Sequence, residues 1–190
     1  MFNNIEGFEV LGEDIFVYKN FVLHENISLF MNDIYSIEEK EWSTSPKMGN
    51  KPSSTRKILN PLIDNINSFL NEGYFINKPN SFVRMFKGDC MIEHFDANVS
   101  MQTRKESKLL KENNKFSWKE DKKYGVVVYF NEFEGGEIYY PYQNIEYKPS
   151  PGDLVIHSAE EHCLHGVRPV KSNIRYSMSS HIYNMIKVPA

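Results

Sequence analysis

The second half of the sequence consists of short apolar segments, and this feature constrains the fold more than any other. From about residue 80 these segments are six to ten residues long, and Gly, Pro, Asn and Asp separate them, as in PYQN and SPGD. This pattern predicts short antiparallel strands joined by turns, and so a β-core over about residues 80–190. The segments are SFVRMF, MIEHFD, YGVVVYF, GEIYYP, GDLVIH and IRYSMSSHIY.

The first 79 residues carry the helical patterns. After two strand-like segments, GFEVL and DIFVY, apolar residues at spacings of three and four predict a helix over about residues 26–39. A second helix is predicted before residue 70, where apolar residues repeat at about 3.6. The expected apolar face of the first helix is Ile27, Phe30, Met31, Ile34 and Tyr35, and that of the second is Ile58, Leu59, Leu62, Ile63, Ile66, Phe69 and Leu70. Helical support over about residues 1–79 and a β-core after it predict an α+β fold.

Length and composition limit the classes of protein to consider. The chain has 190 residues, which predicts one domain over residues 1–190. A formal net charge of -3 argues against a dedicated nucleic-acid-binding protein, and no apolar run approaches the roughly 18 residues of a membrane span. Two cysteines without CxxC spacing and the lack of a signal-like N-terminus predict a cytoplasmic protein.

A polar, basic segment interrupts the strand pattern. Residues 97–123 contain eight Lys or Arg residues against four Asp or Glu residues, an excess of four positive charges. We expect this insert either to form a basic lid that favours acidic or phosphate-bearing partners, or to be a solvated loop.

One pair of residues predicts metal chemistry. His94 and Asp96 lie two apart in a strand-like segment, and alternation places both side chains on one face. Two histidines and one carboxylate on one side of an ion suit ferrous iron in oxygen-activating enzymes. A second histidine must come from elsewhere in the chain, and from the pair alone the candidates are His157, His162, His165 and His181.

Four further motifs follow this pair in order. They are Tyr129-Phe130-Asn131, Gly135-Gly136-Glu137, Pro151-Gly152-Asp153, and His165 with Pro169, Val170 and Arg175. In their order and spacing the sequence resembles the prolyl 4-hydroxylase-like branch of the Fe(II)- and 2-oxoglutarate-dependent dioxygenases. The resemblance covers nearly the whole chain, since DIFVYKNF and the helix after it are similar to the N-terminal part of this family. It implies a double-stranded β-helix, a jelly-roll or cupin-like barrel, with supporting N-terminal helices.

The resemblance also implies roles for individual residues. His94, Asp96 and His165 would be the iron ligands, with His165 preferred because the Pro-Val pair and Arg175 follow it at the family's spacing. Arg175 would bind the distal carboxylate of 2-oxoglutarate, which a planar guanidinium can meet with two hydrogen bonds, although an ion pair at a strand edge is the alternative. Tyr129 would either hydrogen-bond the same carboxylate or be a core aromatic residue.

The remaining histidines are expected to lie outside this ligand set. His162 is expected to be an exposed loop residue, and His157 to pack beside the site. His24 and His181 are expected to take no part. Where the family usually has two tyrosines in and before the metal strand, this chain has Met85 and Met91, and a thioether cannot replace a phenol as a hydrogen-bond donor.

The activity that the resemblance implies is hydroxylation of a C–H bond, with Fe(II) as cofactor and 2-oxoglutarate and O₂ as cosubstrates. Succinate and CO₂ would be released, and a need for ascorbate is left open. The preferred substrate is a prolyl residue in a peptide or protein. Two alternatives stay open, an oxygenase of a free amino acid or small molecule and a catalytically silent β-barrel that binds a ligand.

Overall fold

The computed structural model describes residues 6–42, 48–49, 63–70, 73–76, 81–96 and 116–189. These residues form helix α1 (His24–Tyr35), a helical segment over residues 63–68, and three short 3-10 helices at Glu39–Glu41, Pro141–Gln143 and Glu161–Cys163. The strands are β1 (Phe8–Gly12), β2 (Ile15–Tyr18), β3 (Met48–Gly49), β4 (Tyr74–Ile76), β5 (Ser81–Met85), β6 (Met91–His94), β7 (Phe116–Tyr129), β8 (Glu134–Gly135), β9 (Ile138–Tyr140), β10 (Ile145–Tyr147), β11 (Leu154–Ser158), β12 (His165–Val167), β13 (Val170–Ser172) and β14 (Arg175–Pro189).

The strands form two main antiparallel sheets. The major sheet has the order β1-β2-β11-β7-β14-β5-β3, with β4 also paired to β14. The minor sheet has the order β10-β9-β12-β6, and β13 and β8 form a separate pair. Strands distant in sequence are therefore neighbours in space, and β11, β7 and β14 lie side by side in the middle of the major sheet.

Alternation along the central strands gives the major sheet two different faces. Val126 and Val128 of β7 pack toward the helices with Phe30 and Ile34 of α1, in one large apolar core. Val127 and Tyr129 face the other way, toward the minor sheet. Because side chains alternate along a strand, each central strand contributes one set of residues to the helix-facing core and another to the space between the sheets.

Helix α1 is confirmed with shifted bounds, since it begins at His24 and ends at Tyr35 rather than at residue 39. Four residues of the predicted face, Ile27, Phe30, Met31 and Ile34, are buried. The fifth, Tyr35, is 67% exposed, so its assignment to the buried face was wrong. Residues 63–68 are helical as predicted, and the earlier part of the second predicted helix lies outside the described residues.

Two boundaries differ from the sequence-based expectation. Strands β1, β2 and β4 come from the first 79 residues and join the major sheet, so this part of the chain is more than helical support. The predicted insert over residues 97–123 is also shorter than expected, because residues 116–123 belong to β7 and pair with β14. Residues 97–115 lie outside the described residues, and the proposed lid stays a prediction. None of the helices in the described part of the chain is both long and apolar enough to cross a bilayer.

Candidate metal centre

The minor sheet brings two of the predicted ligands together. Strand β12 pairs with the edge strand β6, and His165 is the register partner of His94. The two imidazole rings lie with their centroids 4.4 Å apart. His165 is buried, whereas the side chain of His94 is 36% exposed at the edge of the sheet.

Backbone carbonyl groups fix the orientation of both rings. Nδ1 of His94 lies 2.9 Å from the carbonyl oxygen of Ile92, and Nδ1 of His165 lies 3.0 Å from that of Cys163. A carbonyl oxygen only accepts, so Nδ1 carries the proton in each ring and donates it. Nε2 of each neutral imidazole therefore keeps its lone pair for a metal ion.

Asp96 completes a cluster of three possible ligands. One ligand atom from each of His94, Asp96 and His165 lies within 4.8 Å of the others. Burial alone would raise the pKa of Asp96, but hydrogen bonds and charge from His157 and His181 outweigh it and hold this pKa well below its ordinary range. The carboxyl group is therefore ionised, as a metal ligand must be.

Burial favours the metal-binding form of His165. Together with the nearby His157, it lowers the pKa of His165 to about 3. The ring is neutral at physiological pH, and a neutral imidazole is the form that binds metals.

The major sheet covers the carboxylate from the opposite side. Gly125 of β7 is the register partner of His157 in β11 and of His181 in β14, so the three residues form a row across the sheet. A Cβ atom on Gly125 would collide with Oδ2 of Asp96 and with Nε2 of His157. The glycine thus leaves the space that the carboxylate occupies.

This row of residues was not predicted from the sequence. His181 was expected to take no part, yet its Nε2 lies 3.5 Å from Oδ1 of Asp96, so that expectation was wrong. His157 packs beside the site as expected, with Nε2 3.3 Å from Oδ2 of Asp96. A lone glycine in the apolar strand YGVVVYF was the one local signal, since glycine within a strand often marks a close approach.

Arg175 lies at the buried end of the same space. It begins β14 opposite Met85 of β5 and is 3% exposed. Its Nη1 donates to Oγ of Ser177 at 3.1 Å and contacts Sδ of Met85 at 3.5 Å, while Nε has no hydrogen-bond partner in the described part of the chain. The hydrogen bonds of Arg175 thus go to a hydroxyl and a thioether rather than to a carboxylate, which does not favour the alternative of an ion pair at a strand edge.

Tyr129 is a core residue next to this arginine. It is fully buried and packs with Val17, Phe133 and Val155. The Arg175 guanidinium carbon lies 4.9 Å from the centroid of its ring. Burial raises the pKa of Tyr129, and the charge of Arg175 offsets part of that effect. Its hydroxyl makes no hydrogen bond of ordinary geometry to the described residues.

A single cavity of about 140 Å³ connects these groups. It lies between the two sheets and contacts both the His94, Asp96 and His165 cluster and Arg175. The remaining lining residues are Val83, Met91, Val126, Val127, Ile138, His157, Val167, Ser177, Ser179 and His181. A ligand in this cavity can therefore reach the three metal-binding side chains and the arginine at the same time.

The other histidines lie away from the cavity. His162 was expected to be an exposed loop residue; it lies in the 3-10 helix Glu161–Cys163, is partly exposed, and has Nε2 3.2 Å from Oδ2 of Asp14. His24 is exposed at the start of α1.

The fold is similar to those of several solved prolyl hydroxylase structures. The viral collagen prolyl hydroxylase of Paramecium bursaria Chlorella virus-1, in its 2-oxoglutarate complex, matches with a TM-score of 0.63 at 16% identity, over 91% of this chain and 97% of that chain. A Pseudomonas putida prolyl-4-hydroxylase matches with a TM-score of 0.58 at 16% identity, over 90% and 92%.

A third structure is the prolyl hydroxylase of Trichoplax adhaerens in complex with a peptide of the hypoxia inducible factor. It matches with a TM-score of 0.59 at 15% identity, over 90% of this chain and 84% of that chain. No family model matches the sequence, and no curated protein matches it. The structural similarity confirms the predicted double-stranded β-helix with its mainly antiparallel sheets.

Proposed function

We propose that this chain is an Fe(II)- and 2-oxoglutarate-dependent oxygenase that hydroxylates a C–H bond, with a prolyl residue in a peptide or protein as its substrate. One observation carries the proposal: a single cavity contacts a His-Asp-His cluster at one end and, at the other, a buried arginine that has no carboxylate partner among the described residues. A metal ion would bind the cluster, and an anionic cosubstrate that chelates the metal would also reach the arginine.

The donor set fits ferrous iron. Nε2 of His94, Nε2 of His165 and a carboxylate oxygen of Asp96 would hold the ion, which matches the two-histidine, one-carboxylate set of non-haem iron oxygenases. When bound, the iron supplies O₂ activation coupled to the conversion of 2-oxoglutarate to succinate and CO₂, and one oxygen atom of O₂ enters the substrate. The chain itself holds these ligands in their neutral or ionised states and orients them through the backbone.

The arginine end fits a dicarboxylic acid. A buried cation without an ionised partner is costly, so Arg175 favours binding of an anion beside it. Ser177 accepts from Nη1 of Arg175 and still has its own hydroxyl proton to donate. The Tyr129 hydroxyl and Nε of Arg175 are buried donors without partners in the described residues, and a carboxylate would satisfy them.

Exposure sets the direction in which ligands enter. Arg175 is 3% exposed, whereas the side chain of His94 is 36% exposed. We infer that the distal carboxylate of 2-oxoglutarate lies at the inner end and that the substrate approaches at the His94 end. The buried apolar walls, such as Val83, Val127 and Val167, would exclude water around the cosubstrate.

The compared structures supply the argument for the substrate class. The compared structures are described as prolyl hydroxylases, and that of Trichoplax adhaerens holds a peptide. These names favour a prolyl residue in a peptide or protein over a free amino acid. A partner of this kind would bind at the open, His94 end of the cavity.

Turnover with a peptide panel tests the proposal. Purified protein is supplied with Fe(II), 2-oxoglutarate and O₂, and each proline-containing peptide is followed by mass spectrometry, with succinate measured in parallel. We expect a gain of one oxygen atom on a prolyl peptide in proportion to succinate. His94→Ala and His165→Ala should abolish both products, because each removes a metal ligand.

His162→Ala is the matched control, since this histidine lies outside the cavity and should leave turnover unchanged. Oxidation of free amino acids or small molecules but not of peptides would contradict the prolyl substrate and leave the oxygenase. Absence of metal and 2-oxoglutarate binding would contradict the enzyme proposal and favour a β-barrel that binds another ligand.

A further inference from the structure

Asp96 lies beyond the end of its own strand, so the strand does not hold its carboxylate. Strand β6 ends at His94, and Asp96 is in the bend that follows. The contacts of the carboxylate come instead from the opposite sheet, where Nε2 of His157 lies 3.3 Å from Oδ2 and Nε2 of His181 lies 3.5 Å from Oδ1. Each oxygen therefore has its own imidazole neighbour.

The strand register explains why two histidines can flank one carboxylate. His157, Gly125 and His181 are direct neighbours across β11, β7 and β14. Strands in a sheet lie about 4.8 Å apart, so the two imidazoles rise on either side of a residue without a side chain. The carboxylate occupies the gap above Gly125, where a Cβ atom would collide with it.

Tyr140 holds the other nitrogen of the His157 ring. Its hydroxyl lies 3.0 Å from Nδ1 of His157, and both residues are fully buried. A carboxylate only accepts, so Nε2 of His157 carries a proton and donates it to Asp96. Nδ1, the other ring nitrogen, is hydrogen-bonded to the Tyr140 hydroxyl. The three side chains form a hydrogen-bonded chain from the minor sheet through the major sheet to the carboxylate.

Burying this series of hydrogen-bonded side chains costs free energy of folding, which indicates that the series has a function. Tyr140 and His157 are buried, and burial of a hydroxyl and an imidazole requires that their polar atoms be hydrogen-bonded, whereas apolar residues would pack there without that requirement. Each carboxylate oxygen has two lone pairs, so one accepted hydrogen bond leaves one lone pair for a metal ion. The arrangement can thus hold Asp96 without blocking it.

We propose that His157 and His181 are positioning residues that hold the Asp96 carboxylate over Gly125, with the Tyr140 hydroxyl holding the ring of His157 through Nδ1. The inference rests on the proposed function, because it assigns these residues to the same metal site. It adds that the site is built across both sheets: the metal ligands come from the β6 and β12 side, and the groups that orient the carboxylate come from β11 and β14.

Binding of Co(II) to the metal-free protein tests this inference without turnover. The dissociation constant and the visible d–d spectrum are measured for wild type, His157→Leu, His181→Leu, His157→Gln and His181→Gln. Loss of groups that orient metal ligands typically weakens metal binding by about 10- to 100-fold. We expect that loss, with a changed spectrum, in each Leu variant. The Gln variants keep an N–H donor and should recover part of the affinity.

Tyr140→Phe removes one hydroxyl from a buried ring and is the variant most certain to fold. We expect it to weaken Co(II) binding by about tenfold, at the low end of the same range. His162→Ala, outside the cavity, should bind as wild type does. If a Leu variant does not fold, Tyr140→Phe and the Gln variants decide the question.

The outcomes separate the two proposals. Wild-type affinity and spectrum in the Leu variants and in Tyr140→Phe would overturn the positioning role while leaving the metal site intact. Failure of wild type to bind Co(II), or binding that His94→Ala and His165→Ala leave unchanged, would overturn the proposed function itself.

Discussion

Three histidines near Asp96 differ in the group that Nδ1 of the imidazole contacts. In His94 and His165 a backbone carbonyl holds the Nδ1 proton, which leaves Nε2 as an acceptor for a metal. In His157 the Tyr140 hydroxyl contacts Nδ1, and Nε2 donates to Asp96 because a carboxylate only accepts. The same side chain can thus offer a lone pair to a metal or a proton to a carboxylate, according to its neighbours.

The burial of His165 predicts a pH dependence of stability. Its pKa is about 3 in the folded protein, against an ordinary value near 6.5 when unfolded. Between these values the unfolded chain binds a proton that the folded chain does not, so stability falls as pH falls below about 6.5. We expect the metal-free protein to lose about 2 kcal/mol at this residue between pH 7.5 and 5.

Urea unfolding at several pH values measures this effect. His165→Gln carries no titrating group at the position and should lose correspondingly less free energy of unfolding over the same range. Equal pH dependence in the two proteins would show that the folded protein does not hold His165 neutral.

At this scale the sequence predicted only what lies close together along the chain. The spacing of His94 and Asp96 predicted two side chains on one strand face, and the resemblance pointed to His165 and Arg175. The two side chains do lie close together, but Asp96 is in the bend after β6 and not in the strand. The contacts of His157 and His181 with Asp96 depend on the register of β11, β7 and β14. No local pattern specifies that register, so these contacts were beyond sequence reasoning.

At the scale of elements, helix α1 supports the sheet whose other face carries the site. Phe30 stacks on Phe130 with ring centroids 5.2 Å apart, and both belong to the helix-facing core. The periodicity of the sequence predicted this helix but placed Tyr35 on the buried face. In the structure Tyr35 is 67% exposed and its ring meets Tyr176 at 5.9 Å, because the helix ends there and the chain turns.

Two substitutions on this helix test the assignment of its faces. Phe30→Ala removes a buried aromatic ring and should lower the free energy of unfolding by about 3–5 kcal/mol. Tyr35→Ala, five residues later on the exposed side, should cost about 1 kcal/mol or less. Urea unfolding at pH 7.5 measures both, and comparable losses in the two variants would contradict the assignment.

At the scale of the whole molecule, two facing sheets enclose one cavity that has possible metal ligands at one end and a cationic side chain at the other. The open end has two histidines and a carboxylate, and the buried end has an arginine whose hydrogen bonds go to Ser177 and Met85. The strand-rich texture and the ordered motifs predicted the fold class and these residues. They did not predict that β2 from the N-terminus would pair with β11, because such pairing is set by the packing of the complete chain.

One anaerobic titration tests most directly the claim that this cavity binds iron and 2-oxoglutarate together. Fe(II), 2-oxoglutarate or both are added to the protein, and the weak visible charge-transfer band of the chelate is recorded. We expect the band only when both are present. Arg175→Met should raise the apparent dissociation constant for 2-oxoglutarate about 10- to 100-fold, as loss of charge-assisted hydrogen bonds worth about 1.5–3 kcal/mol implies. No band in wild type at saturating concentrations of both would contradict the account.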